Sequence, residues 1–226
     1  MGQEQGSSKS AGGMIELMAS DGHLLSAYLA ETVGIPRGGI VVVQDAYGLG
    51  DYVKSVCDSY AREGYFTIAP AIYDRQERNA IFDHSDVSKR RARLLRSNLS
   101  WDNLMLDLEA ARRHVSIFGN VGIIGFCVGG SAAWLSACHL EFSCASAYYG
   151  KDISSWLDMS PKCPILLHFG DRDHLISIED ISGIQRKRPD LSVHLYPAGH
   201  GFDAKDPSSA FLARHRTLEM FRDLIG

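Results

Sequence analysis

No run in the 226-residue sequence approaches the roughly 20 apolar residues needed to cross a bilayer. The first residues also lack the basic stretch and apolar run of a secretory signal, so a cytoplasmic protein with no membrane partner is the expectation. A positive excess is missing too. Lys and Arg number 23 against 27 for Asp and Glu, a net charge of -4, which removes the electrostatic basis for a nucleic-acid partner. The five cysteines (Cys57, Cys127, Cys138, Cys144 and Cys163) are odd in number and show no paired metal-ligand spacing. Neither a disulfide framework nor a zinc cluster is expected, and reduced thiols are. Met1 to Gly13 contains no aromatic and no β-branched residue. It buries too little apolar surface to offset its ordering entropy, so residues 1–13 are expected as a disordered tail.

What remains, residues 14–226, is 45 % hydrophobic over the whole chain, enough for one sizeable core and a single domain. Short apolar runs alternate with longer amphipathic ones, the pattern of an α/β protein with a mostly parallel sheet. Met14 to Met18 and Leu24 to Ala30 flank the turn sequence Ser20-Asp21-Gly22, which predicts an antiparallel hairpin at the sheet edge. Ile40 to Val43, Phe66 to Ala69, Val121 to Gly125, Cys144 to Tyr148, Ile165 to Phe169 and Val193 to Tyr196 read as strands. A helix is predicted from about Asp51 to Glu63, ended by Gly64. Another follows Ser100 with Trp101, Leu104, Leu108 and Ala111 on its inner face, and a last helix buries Phe211, Leu218, Phe221 and Ile225.

Gly125-Phe126-Cys127-Val128-Gly129-Gly130 lies between the apolar run at 121–124 and a helical run from Ser131. Strand, sharp turn and helix are the context in which a central cysteine is held exposed in a strained turn that only small neighbours permit. A thiolate at 127 gains from the following helix N-terminus. The bland alternative is a buried structural cysteine at a tight helix-strand contact. A nucleophile needs a base and an orienting acid from other strand ends. His200, between two glycines, follows the run ending at Tyr196, and Asp173 follows the run ending at Phe169. The chain order is nucleophile, acid, histidine. His168 and His174 compete for the base, and Asp171 competes with Asp173.

These motifs, together with Gln44-Asp45-Ala46-Tyr47-Gly48, Gly170-Asp171-Arg172-Asp173-His174 and Ala198-Gly199-His200-Gly201-Phe202, resemble those of the dienelactone hydrolase family of the α/β-hydrolase fold. The resemblance covers about Met14 to Gly226. It implies Cys127 as nucleophile, His200 as general base, Asp173 as the acid orienting it, and the backbone N–H groups of Ala46 and Val128 as the oxyanion site. It implies no metal and no organic cofactor. The family's thiol-pairing carboxylate is a glutamate, and here Asp45 is one methylene shorter. Two arginines hold the substrate carboxylate in the family. The second is replaced by Ala204 with Lys205 beside it, and the first position falls to Lys89 or Arg90.

Lys89 to Arg96 carries five basic residues in eight, a positive lip beside a pocket or, equally, a solvated helix face. Tyr47, Tyr148, Tyr149 and Phe202 are candidates for lining that pocket, with Tyr149 and Phe202 chosen as substrate contacts. The reading is a cysteine hydrolase that opens a small ester or lactone through a thiol-ester intermediate, and a monomer and a homodimer both fit it. Two rivals are a non-catalytic ligand-binding or regulatory protein that keeps the scaffold, and a redox sensor in which Cys138 or Cys144 resolves an oxidised Cys127.

Overall fold

A computed structural model describes residues 12–226. The tail expected over 1–13 lies outside the described residues except for its last two, and Gly13 already pairs with Leu29. Strands β1 (Gly13–Met18) and β2 (Leu24–Ala30) form the antiparallel hairpin, with Gly22 supplying the positive φ of 84° that its turn requires. β3 (Gly39–Val43), β4 (Phe66–Pro70), β5 (Val121–Phe126), β6 (Cys144–Tyr148), β7 (Ile165–Gly170) and β8 (Ser192–Tyr196) complete one eight-stranded sheet in the order β1-β2-β4-β3-β5-β6-β7-β8. From β4 to β8 every pairing is parallel, while β2 joins β4 antiparallel.

β3, β4, β5 and β6 are buried along their whole length, as strands covered by helices on both faces must be. The cover comes from α1 (Asp51–Arg62), α2 (Asp86–Ser97), α3 (Trp101–Val115), α4 (Val128–His139), α5 (Ile178–Lys187), α6 (Phe202–Lys205) and α7 (Pro207–Leu224). Ser85, Ser100, Ser177 and Asp206 cap α2, α3, α5 and α7 by accepting a backbone N–H one turn in. This is the α/β-hydrolase architecture, with the carboxyl ends of β3, β5, β6, β7 and β8 opening on one edge where loops collect.

Two predicted core faces are corrected. On α7, Leu218, Phe221 and the following Ile225 are buried, but Phe211 is 70 % exposed and stacks on His215. The inner stripe runs instead through Ser209, Ala213 and Thr217, because Asp206 starts the helix at a phase that turns position 211 outward. On α3, Leu104, Leu108 and Ala111 are buried, whereas Trp101 is only half-buried, edge-on to Trp156.

Candidate active site

The turn between β5 and α4 holds Cys127 at φ 55° and ψ -114°, the left-handed side of the map that non-glycine residues avoid at a cost of about 1–3 kcal/mol. The glycines around it are sites of close approach. A Cβ on Gly125 would meet the carbonyl oxygen of Gly129 at 1.9 Å, and one on Gly129 would meet the carbonyl oxygens of Val43 and Gln44 at 2.4 and 2.5 Å. α4 therefore sits against the ends of β3 and β5 with no room for side chains. Cys127 is tied to β6 by its N–H, which donates to Tyr148 at 3.0 Å. Val128, the first residue of α4, has no carbonyl one turn behind it to accept its N–H.

Asp173 and His200 come to the same edge from the loops after β7 and β8. His200 Nδ1 and Asp173 Oδ2 are 2.7 Å apart, and the other carboxylate oxygen accepts the N–H groups of Leu175 and Ile176. Burial works to raise the Asp173 pKa, but His200 and the two N–H groups outweigh it and hold the carboxyl below its ordinary range. For His200, burial opposes the charged ring; the hydrogen bond to Asp173 and the nearness of Cys127 overcome it and lift the imidazole to about 9, while the other ring nitrogen, Nε2, is buried without a hydrogen-bond partner. Asp171 lies outside this arrangement, 3.4 Å from Arg172 at the surface. His168 is fully buried between Tyr196 and Thr217, where desolvation drives its pKa well below 6.5. His174 stands edge-on to His200 at 6.0 Å.

Cys127, His200 and Ala46 line both of two adjoining chambers. One, of about 330 Å³, is walled by Tyr47, Tyr52, Val53, Ile81, Phe82 and Tyr149, with Asp45, Asp51, His84, Asp203 and Lys205 as its ionisable groups. The other, of about 400 Å³, is bounded by Val128, Leu175, Arg93, Arg96, Lys151 and Asp152. Ala46 and Val128 line this second chamber together with Cys127.

The remaining expected residues divide. Asp45 lines the first chamber, but its Oδ1 accepts the Tyr47 N–H at 2.8 Å, and among the described residues no hydrogen bond joins it to Cys127. The short side chain folds back on its own turn, as aspartate favours. Burial nonetheless raises its pKa, against the pull of the Tyr47 N–H and of His84, His200 and Lys205. Lys89 and Arg90 line neither chamber, and Lys89 lies 3.8 Å from Asp86 on its own helix. The second chamber meets the C-terminal half of α2, where it is lined by Arg93, one turn beyond Lys89, and by Arg96. Arg96 is bound by both oxygens of Asp152, which leaves Arg93 and Lys151 as cations without an ion-pair partner among the described residues. Tyr149 does line the first chamber. Phe202 does not: it is 1 % exposed and packs on Tyr196 and Tyr149 beneath the floor. Asp203, His84 and Lys205 were not singled out as ligands, and only the spacing of Asp203 and Lys205 from His200, about one helical turn, signals them.

Cys138 and Cys144 cannot resolve an oxidised Cys127. Cys138 lies 11 residues along α4, about 16 Å away at 1.5 Å per residue, and Cys144 begins β6 at the opposite edge of the sheet. Both exceed the reach of a disulfide.

A strained cysteine between a parallel sheet and a helix, with a histidine held by an acid at the same edge, defines a hydrolase of the α/β-hydrolase class. The dienelactone hydrolase family model matches residues 25–224, and the chain belongs to that family of ester and lactone hydrolases. It is 30 % identical over 221 residues to a carboxymethylenebutenolidase of Pseudomonas putida, covering 93 % of both chains. It is 25 % identical over 221 residues to carboxymethylenebutenolidase 1 of Cupriavidus pinatubonensis, covering 91 % of this chain and 94 % of the relative. A dienelactone hydrolase-like promiscuous phosphotriesterase from metagenomic libraries shares the fold at a TM-score of 0.76 and 19 % identity, over 96 % of this chain and all of the other. Among the described residues no helix is long and apolar enough to cross a membrane.

Proposed function

We propose that this protein cleaves a small carboxylic ester or lactone through a thiol-ester on Cys127, as the carboxymethylenebutenolidases it resembles are named for a butenolide. The observation that carries this reading is the strained Cys127 and the Asp173-bound His200 sharing the walls of the same two chambers. His200 takes the thiol proton and, held at about 9 beside the Asp173 carboxylate, keeps it at neutral pH as an imidazolium paired with the Cys127 thiolate. The sulfur adds to the carbonyl carbon, and the N–H groups of Ala46 and Val128 take the developing oxyanion. His200 returns the proton to the departing alkoxide, then draws one from the water that opens the thiol-ester.

Arg93 and Lys151, rather than Lys89 and Arg90, suit a carboxylate on the substrate, because they border the chamber next to the oxyanion site. Cys127→Ala tests the mechanism: turnover of p-nitrophenyl acetate falls by about 10³-fold or more and iodoacetamide no longer labels the active site. Turnover retained in that variant would remove Cys127 as the nucleophile.

A further inference from the structure

Nothing in the catalytic scheme accounts for the pair formed by Asp203 and Tyr149. Asp203 lies three residues after His200 on α6, and one of its oxygens accepts the Tyr149 hydroxyl. Its other oxygen, Oδ2, is buried without a hydrogen-bond partner. Tyr149 is 3 % exposed and held at a positive φ of 40°. Its N–H donates to the His168 carbonyl at 2.8 Å, and its ring lies 4.7 Å from the His200 imidazole, inclined at 59°. A strained backbone and a buried carboxyl oxygen left without a partner persist only where the surroundings hold them in place, and here the two are joined through the tyrosine that packs on the histidine.

The single bond from Asp173 to Nδ1 fixes one end of the imidazole but leaves the ring free to tilt about that contact. We infer that Asp203 is a positioning residue: by holding the Tyr149 hydroxyl it seats the tyrosine ring against one side of His200 and so sets the angle at which Nε2 addresses Cys127. This inference rests on the proposed Cys127 and His200 chemistry.

The carboxyl that does the holding also carries a proton close to neutrality. Burial first, and then the nearby Asp45, lift Asp203 to about 7, against its own N–H, that of Ala204 and the charge of Lys205. The groups that share its two cavities are Asp45 and Tyr47 from the loop after β3, Asp51, Tyr52 and Arg62 of α1, Tyr149 from the loop after β6, Lys205 on its own helix, His84 and His200 around the chamber, and Arg214 of α7 across the groove behind. Above about pH 7 the anion accepts the Tyr149 hydroxyl more strongly and adds a negative charge beside the imidazole.

The test compares wild type with Tyr149→Phe, Asp203→Asn and the double variant on p-nitrophenyl acetate from about pH 5.5 to 9.5, with the His200 imidazole followed by NMR. Tyr149→Phe keeps the ring and loses its tether. It is expected to lower kcat about tenfold with KM within about twofold, and to move the His200 ring resonances. Asp203→Asn keeps an accepting oxygen, so kcat stays within about threefold while the inflection near pH 7 disappears from the profile. The double variant is expected to match Tyr149→Phe, because the carboxyl acts through the hydroxyl. Unchanged kcat and His200 resonances in Tyr149→Phe overturn the inference, as does an Asp203→Asn profile that keeps its inflection near pH 7. If Cys127→Ala keeps its turnover while the His200 resonances still move in Tyr149→Phe, the nucleophile assignment fails and the positioning of the ring stands.

Discussion

Asp203→Asn makes a stability prediction independent of turnover. The folded protein holds the Asp203 carboxyl at about 7 against an ordinary 3.8, so the folded state binds that proton more tightly than the unfolded state. The contribution of this one group to stability is therefore greatest below about pH 4, falls as pH rises from there to about 7, and is flat above. A gap of about three pH units corresponds to roughly 4 kcal/mol, and partial exposure of the group brings this to about 2–4 kcal/mol. Asparagine never ionises, so the variant lacks the decline. Relative to wild type it gains those kilocalories at pH 8 and little at pH 4, which for a domain of this size is a change in Tm difference of about 5–15 °C. Calorimetric melts of both proteins at the two pH values measure it. A Tm difference that is the same at both, within about 1 °C, refutes the claim that this carboxyl is forced to take its proton in the fold.

Three further outcomes follow from the site. Asp173→Asn removes the anion that favours the imidazolium, so the titration of His200, at about 9 in the wild type, moves to lower pH in an NMR titration; an unmoved value contradicts the pairing. Arg93→Ala with Lys151→Ala raises KM for an aryl ester bearing a carboxylate by about tenfold and leaves its neutral analogue within about twofold, whereas Lys89→Ala changes neither, in steady-state kinetics. Gly129→Ala forces a methyl group to within 2.4 Å of the Val43 carbonyl oxygen and is expected to cost more than about 3 kcal/mol, read as a lowered urea midpoint.

The sheet was legible because buried strands leave continuous β-branched runs: Ile40 to Val43 and Val121 to Ile124 reach the structure with their ends shifted by a residue or two. Cys127, Asp173 and His200 were legible because each follows a strand and the sheet delivers strand ends to one edge. What escaped was rotational phase. Periodicity locates a helix but fixes which side chain faces the site only once the neighbouring element is placed. Hence the chain points to Lys89 or Arg90 at a chamber that Arg93 lines, and to Phe211 as a core residue where it is exposed. Phe202 illustrates the converse, since adjacency to His200 marks a residue as near the site without saying whether it faces the substrate or supports the floor. Asp203 was hidden for a similar reason: nothing in the chain brings it beside Tyr149, 54 residues earlier, until β6 and α6 pack together.

The wall shared by the two chambers has a consequence for the order of events. Under the chemistry proposed above, the two halves of an ester have one chamber each, on either side of the sulfur. An open-chain ester then vacates the space beside His200 when its alcohol leaves, and water enters there. A lactone keeps its alcohol joined to the acyl group, so for that substrate water has to reach the imidazole past the opened chain.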